Sequence, residues 1–236
     1  MKHMLLTILA GAFLVLAGCE ISAIQGSEVF NETVQVEKDD AEELDVALTL
    51  GAGELQLEGG SSEWLTGDIR YKPKRLKPEI TYTRSGETGI ITLNQKKKVD
   101  ISEMDNEWDI QLTNKVPIDL TVHAGASSSV LNLAGMHLEK VNIESGVGEL
   151  TVDMSGDWKQ SFAVNLDAGV GDTTIIVPNE TGVIIEAEMG LGETSFKDFI
   201  SKGDGIYVNK AYTTADTIIT IHTNMGIGAT TFEMEK

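Results

Sequence analysis

The chain has one cysteine, Cys19, in 236 residues, so neither a disulfide framework nor a thiolate metal cage is open to it. Arginine is nearly missing. Arg70, Arg75 and Arg84 are the only three, and nothing after Arg84 offers a guanidinium to clamp a phosphate or stabilise a developing anion. The four histidines, His3, His123, His137 and His222, share no His-x-x-x-His spacing, which argues against a zinc site. Neither a Gly-x-Ser-x-Gly elbow nor a Walker loop occurs, and no acid–base pair with separable pKa values can be named. No catalytic residue is therefore assigned and no enzyme is expected; a carbohydrate-active enzyme is the least supported alternative. Aromatic residues make up only 6%, leaving a core of Val, Ile, Leu and Met in thin layers.

Long apolar runs are also scarce. The longest runs from Leu5 to Leu16 behind Lys2 and stops at Leu16-Ala17-Gly18-Cys19. A charged start, a short apolar stretch and small residues before a cut describe a secretory signal rather than a membrane span. The flanks of Cys19 look like a bacterial lipobox, in which cleavage leaves the cysteine as a lipidated first residue. Residues 1–18 are read as a lipoprotein signal peptide and 19–40 as a tether leading into a first strand. The expected location is outside the cytoplasm, lipid-anchored to the bacterial cell membrane through Cys19.

Charge is abundant but one-sided. There are 18 Lys+Arg against 37 Asp+Glu, a formal net charge of −19, which excludes nonspecific nucleic-acid binding because phosphates need clustered cations. Half of the basic residues fall between Arg70 and Lys98. That segment (Arg70, Lys72, Lys74, Arg75, Lys77, Lys96, Lys97 and Lys98) is either a solvated face or a contact for anionic lipid or a polyanionic wall polymer.

What the chain has in plenty is glycine, placed to a rule. Gly51-Ala52-Gly53-Glu54, Gly125-Ala126-Ser127-Ser128, Gly146-Val147-Gly148-Glu149, Gly169-Val170-Gly171-Asp172, Gly190-Leu191-Gly192-Glu193 and Gly226-Ile227-Gly228-Ala229 are six copies of one turn. From Gly125 the first glycines advance by 21, 23, 21 and 36 residues, and periods in the low twenties built from short strands indicate stacked coils. Between them apolar residues alternate, as in Leu44-Val46-Leu48-Leu50 and Ile118-Leu120-Val122, with no sustained helical stripe. The expectation is an all-β, single-stranded parallel β-solenoid with coils of about 21–23 residues. It divides into residues 41–124, carrying the basic segment, and regular repeats over 125–236.

Alignment on the first glycine sorts inward from outward positions. Residues five and three before it and six after it are apolar and face in; so, by the same apolar criterion, does the residue one after it (Ala126, Val147, Val170, Leu191, Ile227). Two positions before it stand His123, Glu144, Asp167, Glu188 and Asn224; three after it stand Ser128, Glu149, Asp172, Glu193 and Ala229. If copies stack in sequence order, Glu144, Asp167 and Glu188 lie about 4.8 Å apart and repel by about 0.9 kcal/mol per pair in water. Either counterions relieve this or divalent cations, calcium first, bridge the coils. No other cofactor is implied. The lengthened step before Gly226 is read as one coil plus an excursion that either caps or binds.

The lipobox at Leu16 to Cys19, the recurrent Gly-x-Gly-Glu/Asp turn with its Thr/Leu-rich strand, and the last copy near the C-terminus resemble the bacterial toast-rack domain proteins. They are similar too to the C-terminal domain of Lia-type cell-wall-stress regulators and to adhesin β-solenoids, over roughly residues 28–236. The resemblance implies a β-solenoid of the cell envelope, and Lia-type relatives modulate a histidine kinase that answers envelope damage. This chain departs from that type in having a lipid anchor where those have transmembrane helices. The expected function is a non-enzymatic envelope module for binding or sensing, with an envelope protein or wall polymer as partner; an adhesin-like surface protein is the alternative.

Overall fold

The computed structural model describes residues 28–95 and 105–236; Cys19 and Lys96, Lys97 and Lys98 lie outside the described residues. Regular structure there is β-strand, apart from two short 3-10 turns at Lys74–Leu76 and Ala211–Thr213. The fold is all-β, as the alternation requires.

Its unit is a strand bent at the glycines. β2 (Glu43–Gly59), β7 (Ile118–Asn132) and β8 (Leu138–Asp153) each run through their Gly turn without a break. Their first halves pair in one arm of sheet and their second halves in another. Three further coils are split at the turn into β9 (Phe162–Val170) with β10 (Thr173–Val177), β11 (Gly182–Leu191) with β12 (Thr194–Phe196), and β15 (Ile218–Ile227) with β16 (Thr230–Met234). All six pair in parallel, β2–β7–β8–β9–β15–β11 along the first arm and β2–β7–β8–β10–β16–β12 along the second. The core fills the angle between the arms with stacked Leu120, Val141, Val164, Ile221 and Ile185, and across from them Leu131, Val152, Ile175 and Phe232, every one buried. Trp158, Met136 and Met154 close it from the returning loops.

The corners stack as backbone on backbone. Gly125 lies over the Gly51 carbonyl, Gly146 over Gly125, Gly169 over Gly146, Gly226 over Gly169 and Gly190 over Gly226. In the second glycine column, Gly171 has φ +138°. A Cβ there would sit well under 3.0 Å from the Gly148 carbonyl oxygen, so both conformation and space demand glycine.

Two features depart from a simple parallel solenoid. The coils do not stack in sequence order: the last one, β15–β16, lies between β9–β10 and β11–β12. The ends of the sheet are antiparallel. At one end β5 (Thr88–Asn94) and β6 (Asp105–Leu112) pair in parallel with the two halves of β2. Beyond them lie β4 (Glu79–Ser85), antiparallel to β5, and β3 (Leu65–Lys72), antiparallel to β6, with β1 (Phe30–Val36) antiparallel to β3. At the other end a hairpin of β13 (Ile200–Gly203) and β14 (Ile206–Val208) covers the free edge of β11. It is the excursion expected from the long step, and Tyr207 seals it by stacking on Phe196 at 3.5 Å.

Strand β1 falls within the segment read as a tether, so the sheet starts at Phe30, and Asp39 accepts hydrogen bonds from the Ala41 amide and Trp64 Nε1. The division at residue 124 is not a structural seam, because β7 passes through it.

At the first-arm base, Asp45 and Asp119 are cross-strand neighbours. Partial burial, then the Asp45 charge, holds the Asp119 carboxyl above its ordinary 3.8. A folded state that raises a carboxyl pKa binds the proton more tightly than the unfolded chain, so this site opposes folding at neutral pH and the opposition fades as pH falls through the raised value. Asp119→Asn is expected to raise the melting temperature at pH 7 and leave it unchanged at pH 3; an equal effect at both values would discount the charge.

Candidate ligand surface along the stacked corners

In four of the six corners the residue after the first glycine does not face the core; Ala52, in the first corner, is buried and Ala126 half-buried. Val147 is 55% exposed, Val170 47%, Ile227 55% and Leu191 73%, so the inward reading of this column is overturned. Its cause is parity. In most coils the residue before the first glycine is inward (Ala124, Ser145 and Met225 are buried), and so is the fourth after it (Ser129, Leu150, Thr173 and Thr230 are buried); the end coil, where Met189 and Thr194 are exposed, is the exception. Five steps separate the two, whereas strict alternation needs an even number. One residue must therefore slip at the corner, and it is the apolar one between two glycines that turns out.

Stacking joins these residues into a ridge. Ala126 pairs with Val147, Val147 with Val170, Val170 with Ile227 and Ile227 with Leu191, so four exposed aliphatic side chains follow one another at about 4.8 Å. Beside the ridge runs a shallow trough lined by glycine backbone at Gly125, Gly146, Gly169 and Gly226 and walled by the outward column of His123, Glu144, Asp167 and Asn224. On the ridge's far side stands the other outward column, with Glu149, Asp172 and Glu193 all exposed.

The interleaved coil order also rewrites those columns. Asn224 pairs with Asp167 on one side and Glu188 on the other, so Glu144, Asp167 and Glu188 are not three in a row; the inserted coil likewise brings Ala229 between the coils of Asp172 and Glu193. Only Glu144 and Asp167 are adjacent in the first column. Two coil spacings between Asp167 and Glu188 halve the repulsion, to about 0.4 kcal/mol in water. His123 Nδ1 lies 2.9 Å from Glu144 Oε2, and His222 Nδ1 3.1 Å from Glu186 Oε2. Among the described residues no cluster of His, Cys, Asp or Glu is arranged to hold a metal. The unbroken stacking of Glu144, Asp167 and Glu188, on which the calcium-bridging alternative rested, is thus replaced by a column in which amide and imidazole side chains dilute the acids. The amides continue down the arm, Asn165 Nδ2 donating to Asn142 Oδ1 at 2.9 Å.

Among the described residues of the basic segment, Arg70 and Lys77 are engaged with the body. Arg70 pairs with Asp105 and Glu107, both at 2.6 Å, and Lys77 with Glu32 at 3.0 Å. The hydrogen bond to Glu32 holds the Lys77 ammonium above its ordinary pKa of 10.5. Lys74 Nζ lies 5.9 Å from the Phe30 ring centre, Lys72 ends β3 opposite Asp105, and Arg75 is exposed. Apposed carboxylates therefore answer the charge of Arg70 and Lys77.

Where the glycine stack begins, side-chain amides stand in for a missing corner. Gln95 Oε1 accepts from the Gly51 amide at 3.0 Å, Asn106 Nδ2 donates to the Ala52 carbonyl at 2.6 Å, and Trp108 Nε1 holds Asn106 Oδ1 at 3.0 Å. At the far end Asn209, 1% exposed, does similar work where the chain leaves coil order. Its Oδ1 accepts from the amides of Val183 and Tyr212, at 2.9 and 3.0 Å, and its Nδ2 donates to the Thr181 carbonyl at 2.7 Å.

One solved structure shares this arrangement over nearly its whole length. In structure the chain is similar to a candidate cell adhesion protein from Clostridium sporogenes, 28% identical, with a TM-score of 0.81 over 88% of this chain and 100% of that one. A candidate adhesin from Bacteroides fragilis, 13% identical, covers 86% of this chain and 97% of its own at a TM-score of 0.29. No curated protein sequence matches the chain. Residues 126–231 match the C-terminal domain of LiaF, of the cell wall-active antibiotics response. Residues 24–176, which hold the first four corners, match the N-terminal domain of toast_rack, and the chain belongs to that family.

Proposed function

We propose that the protein is a non-enzymatic, lipid-anchored module of the bacterial cell envelope that binds or senses a partner, in the setting of an envelope-stress response. The observation that carries this reading is the exposed aliphatic ridge along a rigid stack of corners. Apolar side chains held in line on a backbone that cannot collapse over them form an interaction surface. The match to the LiaF C-terminal domain over residues 126–231 supports the stress-response setting. The anchor is the lipidated Cys19, with residues up to the first strand holding the body off the membrane, and the partner is an envelope protein or wall polymer.

A second reading, adhesion, draws on the 28% identity to the Clostridium sporogenes protein. One comparison separates the two. In cells lacking the protein, induction of wall-stress genes by a wall-active antibiotic is expected to change while attachment to surfaces does not; the reverse result favours adhesion. Cys19→Ser is expected to move the protein from the membrane to the soluble fraction and abolish labelling by a fatty-acid probe. Undiminished membrane attachment in that variant would remove the anchor from the proposal.

A further inference from the structure

We infer that the ridge and trough of the corner bind a cationic amphipathic helical peptide segment. This inference rests on the reading of the ridge as a binding face and names the partner's chemistry. Val147, Val170, Ile227 and Leu191 form one line of exposed aliphatic side chains. Carboxylates bound that line on both sides, Glu144 and Asp167 along the trough with Glu188 continuing their column past Asn224, and Glu149, Asp172 and Glu193 beyond the ridge. The surface is thus an apolar stripe between two anionic stripes, and its complement is an apolar stripe between two cationic ones.

The repeat also fits. Ridge residues recur at about 4.8 Å and the turns of an α-helix at about 5.4 Å, so a helix lying along the stack sets roughly one apolar residue per turn against each ridge residue. Four ridge residues span about 14 Å, the length of about ten helical residues. The same charges disfavour other occupants. A bilayer rich in anionic lipid would have to accept the ridge together with the carboxylates beside it. A second copy would bring another body of net charge −19, with the same acidic borders, against them.

The test uses the full-length chain and three probes. One is a 14-residue helical peptide of leucine and lysine with a single leucine stripe; the second has glutamate for every lysine; the third is neutral phosphatidylcholine vesicles. The Leu/Lys peptide is expected to bind with an affinity that falls as salt rises. Val170→Ser with Ile227→Ser is expected to weaken it about tenfold or more, and Glu144→Gln with Asp167→Asn to weaken it and flatten its salt dependence. All four positions are exposed, so unchanged melting temperatures establish that the variants fold. Leu/Lys binding indifferent to the ridge substitutions would mean only diffuse attraction to an acidic protein and would overturn the inference. Ridge-dependent binding of the Leu/Glu peptide or of vesicles would overturn the cationic partner while leaving the binding face standing. Failure of all three probes would overturn both.

Discussion

Gly171→Ala is expected to destabilise the fold by at least about 3 kcal/mol and lower the melting temperature by about 6–12 °C. Two independent costs meet at this position. Its φ of +138° belongs to glycine, and the added methyl would be driven into the Gly148 carbonyl, an atom fixed by the neighbouring coil rather than a side chain that could swing aside. Relief requires two coils to separate, and the separation passes on, because Gly228 stacks over Gly171 in the same manner. Gly135→Ala supplies the control. Gly135 also has a positive φ, +71°, but open space around its missing Cβ, so only the backbone term of about 1 kcal/mol applies. Chemical denaturation of both variants checks the argument; equal losses would show that conformation alone matters and that the corners are not in tight register.

Asn209→Ala should cost about 3 kcal/mol, since it strips the buried Val183 amide and the half-buried Tyr212 amide of their acceptor and the Thr181 carbonyl of a donor, while leaving the Val183 and Thr181 groups away from water. The damage should be local before it is global. Limited proteolysis is expected to cut first between residues 197 and 217, where the β13–β14 hairpin depends on this residue to hold it against β11. Asn209→Asp keeps the acceptor and loses the donor, and turns an anion toward a carbonyl oxygen; it should be no better than alanine. Near-native stability of the aspartate variant would show that only the acceptor side matters.

Much of the architecture was legible because it is written in periods. Alternation placed Leu120, Val122, Val141 and Ile143 inside, and glycine spacing placed the corners. The ridge was misread because apolar character was taken as burial at Val147, Val170, Ile227 and Leu191. The same columns argue against it: positions three before and six after the glycine are nine steps apart, and an odd separation between two inward positions forces a slip between them. Neighbour identity was less accessible. Every coil carries the same corner, so local pattern cannot say which coil lies on which, and the step of 36 was the one sign of disorder in the sequence. Gln95, Asn106 and Asn209 were not anticipated at all, because a lone amide in a strand or loop carries no periodic signal; only the carbonyls and amides it faces give it meaning.

The interleaving of the last two coils has a consequence for how the molecule comes into being. A chain synthesised from its N-terminus can lay down the coils through residue 177 one upon another, each finding its partner already in place. The coil of residues 182–196 then emerges with nowhere to go, because the coil on which it rests is the final one, residues 218–234. Until those residues arrive, the edge of β9 is open, and the waiting coil presents a corner of the right shape for the wrong neighbour. The C-terminal residues are therefore a keystone rather than a tail. Trimming an ordinary repeat protein from its end removes the outermost repeat and leaves the rest, whereas trimming this one removes a stone from within the arch and sets the cap adrift with it.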